Sequence, residues 1–260
     1  MRVIAIDWSG ARTGAVRKIW LAEANQSGLV RLENGRNREQ IADFLLAEAN
    51  RDPNMVIGFD FAFSLPAWFL EERDLASAPE LWALAACEAE EWLANCEPPF
   101  WGRPGKRRPD LGSMREHMRR TDVDAPDTGG IRPKSVFQIG GAGAVGTGSL
   151  RGMPILHRLA AEGFSVWPFG STSLPLVVEI YPRILTGSVN KSSASERMAY
   201  LSRYRSELPR ELHERAASGE DAFDAAVSAL VMWRSFEDRV RLTAPQDQRT
   251  MLEGKIWHPA

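Results

Sequence analysis

The sequence predicts a single α/β domain, and three features predict it. The chain opens on three short extended runs separated by turns, a helical spacing then leads into a fully apolar strand, and acids stand at the ends of the most apolar strands. With 260 residues, 44% hydrophobic and 25% charged, the chain can bury one sizeable core. The expected organisation is therefore one domain over 1–260 with an insertion at about 97–150.

Val3 to Ile6 is the first apolar run, ended by Asp7-Trp8-Ser9-Gly10, and Ile19 to Ala22 follows as the return strand of a hairpin. A turn at Asn25-Gln26-Ser27-Gly28 leads to the alternating Leu29-Val30-Arg31-Leu32, a third sequential antiparallel strand. From Asn37 the apolar positions Ile41, Phe44, Leu45 and Ala49 take helical spacing, and Met55 to Asp60 reads as a buried strand. Helices are expected at 67–73 and 78–96, the second stopped by Glu97-Pro98-Pro99. After the loop-rich insertion come a helix from Leu156 to Glu162, a short extended piece from Phe164 to Pro168, and a strand from Leu176 to Tyr181. A helical region from Ser195 to about Ala217, a long helix from Asp221 to Arg239 and a short extension at Gly254-Lys255-Ile256-Trp257 complete the chain.

Several classes are disfavoured by composition. A net charge of −2 gives no global attraction to nucleic acid, so any such binding must rest on a local patch. Cys87 and Cys96 suit neither a disulfide framework nor a four-ligand zinc site, and the four histidines match no zinc spacing. No stretch of 18 apolar residues occurs and no leader pattern opens the sequence, so a cytoplasmic protein without membrane contact is expected.

The acids carry the functional signal. Asp7, Asp60 and Glu179 each end, or nearly end, a run that otherwise reads as a two-face-buried strand. Carboxylates are rarely buried without partners, and a hard cation with oxygen ligands is a partner that all three can share. Asp221 and Asp224, three apart, lie on one face in the first turn of the last long helix, where the helix dipole favours their ionised forms. Each acid also has a purely structural explanation: Asp7 or Asp60 as a turn cap, Glu179 as a partner of Arg183, Asp221 as a helix cap.

The segments Ile6-Asp7-Trp8-Ser9-Gly10, Gly58-Phe59-Asp60-Phe61-Ala62, Val178-Glu179-Ile180-Tyr181-Pro182-Arg183 and Asp221-Ala222-Phe223-Asp224-Ala225, in this order, resemble the predicted ribonuclease H-like nucleases grouped as domain of unknown function 429. The resemblance spans nearly the whole chain. It implies a five-stranded mixed sheet with the first three strands antiparallel and helices on both faces. It also implies that acids of the first strand, the fourth strand and a late helix hold Mg²⁺ or Mn²⁺, which here are Asp7, Asp60 and Asp224, with Asp221 as a helper. Glu179 matches the family's own motif and is a further catalytic candidate, without a counterpart in ribonuclease H itself.

Two other signals bear on the ligand. From Arg103 to Lys134 nine Lys or Arg face five acids, and Phe100 and Trp101 stand just before. Lys106, Arg107 and Arg108 are the candidate nucleic-acid contacts there. Gly141-Ala142-Gly143-Ala144-Val145-Gly146 fits G-x-G-x-x-G, but Gly148, Gly152 and Pro154 are expected to interrupt any helix behind it, and Phe164 to Phe169 carries no acid. A backbone loop beside an anionic ligand fits better than a dinucleotide site. The expected function is a two-metal nuclease acting on nucleic acid. A phosphotransferase or ATPase on a small phosphorylated ligand, or a binding module with the same fold, are the alternatives.

Overall fold

The computed structural model describes residues 1–236, 242 and 247–259. Strands β1 (Arg2–Asp7), β2 (Trp20–Asn25), β3 (Gly28–Glu33), β4 (Met55–Phe59), β5 (Ser165–Val166), β6 (Leu176–Ile180) and β7 (Ile256–Trp257) form one mixed sheet in the order β3-β2-β1-β4-β6-β5, with β7 also on β6. The first three strands are antiparallel; β1, β4 and β6 are mutually parallel. The five long strands are those the sequence predicts, but among the described residues the sheet has seven. The additional two are β5 and β7, of two residues each, which pair with the beginning and the end of β6. Two residues are too short to show a strand period, so both read in the sequence only as extended pieces.

The helices are α1 (Ala15–Lys18), α2 (Arg38–Arg51), α3 (Ala67–Glu71), α4 (Ala78–Asn95), α5 (Arg120–Asp124), α6 (Gly146–Ala161), α7 (Pro182–Thr186), α8 (Ala194–Leu201), α9 (Arg210–Ala217), α10 (Glu220–Phe236) and α11 (Gln248–Glu253). Asn37 caps α2 through a reciprocal box with Gln40, and Ser77 caps α4. The helix expected over Asp221–Arg239 is found to Phe236, and positions 237–239 lie outside the described residues. Helix α6 begins ten residues earlier than expected and runs through Gly148, Gly152 and Pro154. Packing overrides the weak local propensity: most of the helix is buried, and a Cβ at Gly152 would lie 2.4 Å from the Phe61 ring. No helix among the described residues is long and apolar enough to cross a membrane.

Alternation along the strands splits the core into two layers. Ile4, Ile6, Ile57, Phe59 and Val177 face α2, α4 and α6, whereas Val3, Ala5, Val56, Val178 and Ile180 face α10. Gly58 brings α10 close to the sheet, because a Cβ there would lie 2.6 Å from Met232 Sδ.

Candidate active site

The apolar run of β1 ends on Asp7, and that of β4 gives way to Asp60. Ile6 pairs with Phe59, and the Asp60 N–H donates to the Ile6 carbonyl at 3.0 Å, so the parallel register continues one step past β4. Asp7 and Asp60 thus stand side by side at the carboxyl edge of the sheet, on the face covered by α10, about 4.8 Å apart along the hydrogen-bonding direction. Helix α10 adds Asp224 from its second turn.

Among the described residues one cation is in direct contact with these acids. Lys191, in the loop between α7 and α8, places Nζ 2.6 Å from Asp224 Oδ2 and is itself only 8% exposed. Asp224 Oδ1 is buried without a hydrogen-bond partner. Asp7 is 9% exposed, and no described residue donates a hydrogen bond to its carboxylate. Asp60 keeps an edge open to an adjoining cleft.

The electrostatics follow from this crowding. Burial, then the charges of Asp60, Asp224 and Asp221, hold Asp7 well above the ordinary carboxylate range, with Lys191 opposing. Asp60 is pushed up to about 8 by burial and then by Asp224, again against Lys191. Burial also raises Asp224, offset by the charge and hydrogen bond of Lys191. Asp221 is exposed at the rim of the group; desolvation and Glu220 raise it while Lys18 opposes them.

No family model, curated protein or solved structure matches this chain. Function therefore has to be read from the geometry of the site.

Glu179 ends on the other side of the sheet. It pairs in register with Phe59, one residue before Asp60, so its side chain projects to the opposite face. There Arg119 Nη2 and Nη1 donate to its two oxygens at 2.6 and 2.8 Å, and the Phe63 N–H adds a bond at 2.9 Å. Arg119, 1% exposed, also grips Asp122 through Nη2 and Nε at 2.7 and 3.0 Å and the Glu253 carbonyl at 3.2 Å. Arg183, the partner open to Glu179 on sequence, instead donates to the Gly187 and Val189 carbonyls. The structure thus brings Asp7, Asp60 and Asp224 together, with Asp221 at their rim, and leaves Glu179 in a saturated ion-pair network. No set of three or more His, Cys, Asp or Glu among the described residues stands at metal-ligating spacing.

A cleft of about 600 Å³ opens beside Asp60. Its basic lining comes from Lys18, Arg119, Arg132 and Lys134, and residues 143–148 form a wall. The glycine run lies at the start of α6, directly before a helix, contrary to the expected interruption. The dinucleotide topology is still absent among the described residues: residues 135–139 form turns with a single bridge from Gln138 to Trp101, and no acid ends β5. Lys106, Arg107 and Arg108 are exposed and outside this cleft. Lys106 pairs with Glu97 at 2.8 Å, and Arg108 lies over the Trp101 ring.

Sequence reasoning missed Lys191 and the role of Arg119. Lys191 sits in an Asn-Lys-Ser-Ser loop without any motif, and Arg119 reads only as one of nine basic residues in the insertion.

Proposed function

We propose that the protein is a ribonuclease H-like, divalent-metal-dependent nuclease that hydrolyses phosphodiester bonds at Asp7, Asp60 and Asp224. The observation that carries this reading is the convergence of three carboxylates, from two parallel strands and a helix, with only one ammonium in contact with them among the described residues. The strand order β3-β2-β1-β4-β6, with the first three strands antiparallel, supports it as the arrangement the resemblance implies. The donor set suits Mg²⁺ or Mn²⁺: it consists of carboxylate oxygens, and the donorless Asp7 and the orphaned Asp224 Oδ1 have capacity to ligate a hard cation. Such an ion, when bound, activates water and stabilises the leaving oxygen.

The protein's own residues supply the rest. Asp7 and Asp60 are fixed by the β1–β4 ladder and Asp224 by the docking of α10, so the ligands are positioned before any substrate arrives. Lys18 and Lys134 bring ammonium groups to the cleft next to Asp60, and Arg132 lines it while paired with Asp127 at 3.2 Å; these are the cations offered to a phosphate backbone. The cleft volume of about 600 Å³ favours a second reading, a phosphotransferase or ATPase acting on a small phosphorylated ligand.

Labelled single- and double-stranded DNA, RNA and a DNA–RNA hybrid, incubated with the protein and Mg²⁺ or Mn²⁺, separate these readings. Metal-dependent cleavage of at least one, lost with chelator and reduced more than about a hundredfold in Asp7→Asn, is the expected result. Cleavage that persists in Asp7→Asn overturns the assignment of the site. Intact polymers together with metal-dependent turnover of a nucleoside triphosphate transfer the site to the second reading.

A further inference from the structure

Lys191 is held too firmly to be an incidental counterion. The Arg197 guanidinium, 6% exposed, donates to the Lys191 carbonyl through Nη1 and to the Ala217 carbonyl through Nε and Nη2 at 3.0 and 2.9 Å. It thereby ties the lysine loop to the end of α9, immediately before α10. Ser192 Oγ donates to Glu220 Oε1 at 3.0 Å, fastening the same loop to the first turn of α10 itself. On the other side Arg183 holds the Gly187 and Val189 carbonyls. A seat built from several elements thus delivers one ammonium to Asp224, and its charge is also felt at Asp7 and Asp60.

Charge balance says what that ammonium does. With their carboxylates ionised, as a bound metal requires, Asp7, Asp60, Asp224 and the rim acid Asp221 carry −4, and the two cations acting on the inner three, Lys191 and the more distant Arg183, carry +2; the remaining −2 is what one divalent ion cancels and two would overshoot by as much. A buried ammonium also keeps a second divalent ion away by repulsion, in surroundings that screen it poorly. Asp7, nine-tenths buried and without a donor among the described residues, is the open ligand for the single ion.

We propose that Lys191 permanently fills one cation position among Asp7, Asp60 and Asp224, so that the site takes one divalent ion, with the lysine in place of the second. This rests on the reading of these three acids as metal ligands. Asp224 is then shared between lysine and metal, and Lys191 is a positioning residue that fixes metal stoichiometry.

The test is Mn²⁺ binding to the metal-free full-length chain, followed by calorimetry and by the electron paramagnetic resonance signal. Sites are counted as those lost in an Asp7→Asn/Asp60→Asn variant. The wild type is expected to bind one ion there, Lys191→Met two, and Lys191→Arg one. Spin coupling between paired Mn²⁺ ions should appear in Lys191→Met alone. Two ions in the wild type overturn the proposal while leaving the nuclease reading intact, and this result does not depend on any variant folding. One ion in both wild type and a folded Lys191→Met also overturns it, since the lysine then excludes nothing. Absence of any Mn²⁺ site in all chains removes the metal reading itself and the proposal with it.

Discussion

Two sets of acids gather at the same end of the sheet, one on each face, and they are solvated by the protein in opposite ways. Glu179 receives two donors from Arg119 and one from Phe63, and Asp122 shares the same guanidinium. Across the sheet Asp7, Asp60 and Asp224 have a single ammonium between them, and Asp7 has no donor among the described residues. Both sets are carboxylates gathered at one end of the sheet by strands and a helix, with Asp60 and Asp224 the less deeply buried; the supply of cations differs. Burial raises Glu179 too, against the opposing charge of Arg119, but its charge is met inside the fold and removing the partner is what costs stability; the other cluster has most of its charge unmet, as a site that binds a cation would.

Breaking the saturated side should have the largest effect. Arg119→Ala strips Glu179 and Asp122 of their cation in a dry environment and frees the insertion from β6, so a loss of about 3–5 kcal/mol is expected in urea unfolding. A loss below about 1 kcal/mol would mean that water reaches Glu179 and that the two faces are not so different.

The pH dependence of stability sharpens the contrast from the other side. Asp60 titrates near 8 in the folded chain, above the ordinary 3.8, so the native state binds its proton more tightly than the unfolded state does. Its contribution is full below about pH 4, falls as pH rises toward 8, and stays low beyond, with a slope of at most about 1.4 kcal/mol per unit. Asp60→Asn should flatten the decline measured between about pH 5 and pH 8 in metal-free protein. Curves that remain parallel would place the titration elsewhere.

The smallest effect is expected for Asp7→Asn in the absence of metal. Burial and the neighbouring acids already favour the neutral form of Asp7, which Asn reproduces without any remaining repulsion, so the melting temperature should be unchanged or stability should rise by up to about 1 kcal/mol. A clear loss would make Asp7 a structural residue, as Glu179 is.

The legible part of this molecule is what lies in local pattern. The five long strands are visible because short apolar or alternating runs bounded by turns have few other uses, and Asp7 and Asp60 stand out because they end such runs. Glu179 carries the same local signature and yet faces the other way. Its orientation depends on the register of β6 against β4, where one residue separates it from the level of Asp60, and no single strand encodes that offset. The Arg119–Glu179 pair links positions 60 apart, and Lys191 meets Asp224 from a loop 33 positions away. Arg119 is held locally only by Asp122, three residues on, and Lys191 has no local motif, so neither long-range contact is written in its neighbourhood. The start of α6 was hidden for another reason: burial of its face outweighs the glycines and the proline that argue against a helix there.

The docking of α10 over β1 also fixes when the site comes into existence. A growing chain offers Asp7 and Asp60 early, on strands that can pair as soon as β4 is made, but Asp224 belongs to the last long helix of the fold. Domains fold as units during synthesis, and this one lacks its third carboxylate until the helix that carries Asp224 has been translated. On the proposed reading, a product ending before α10 holds two acids of three and is inert.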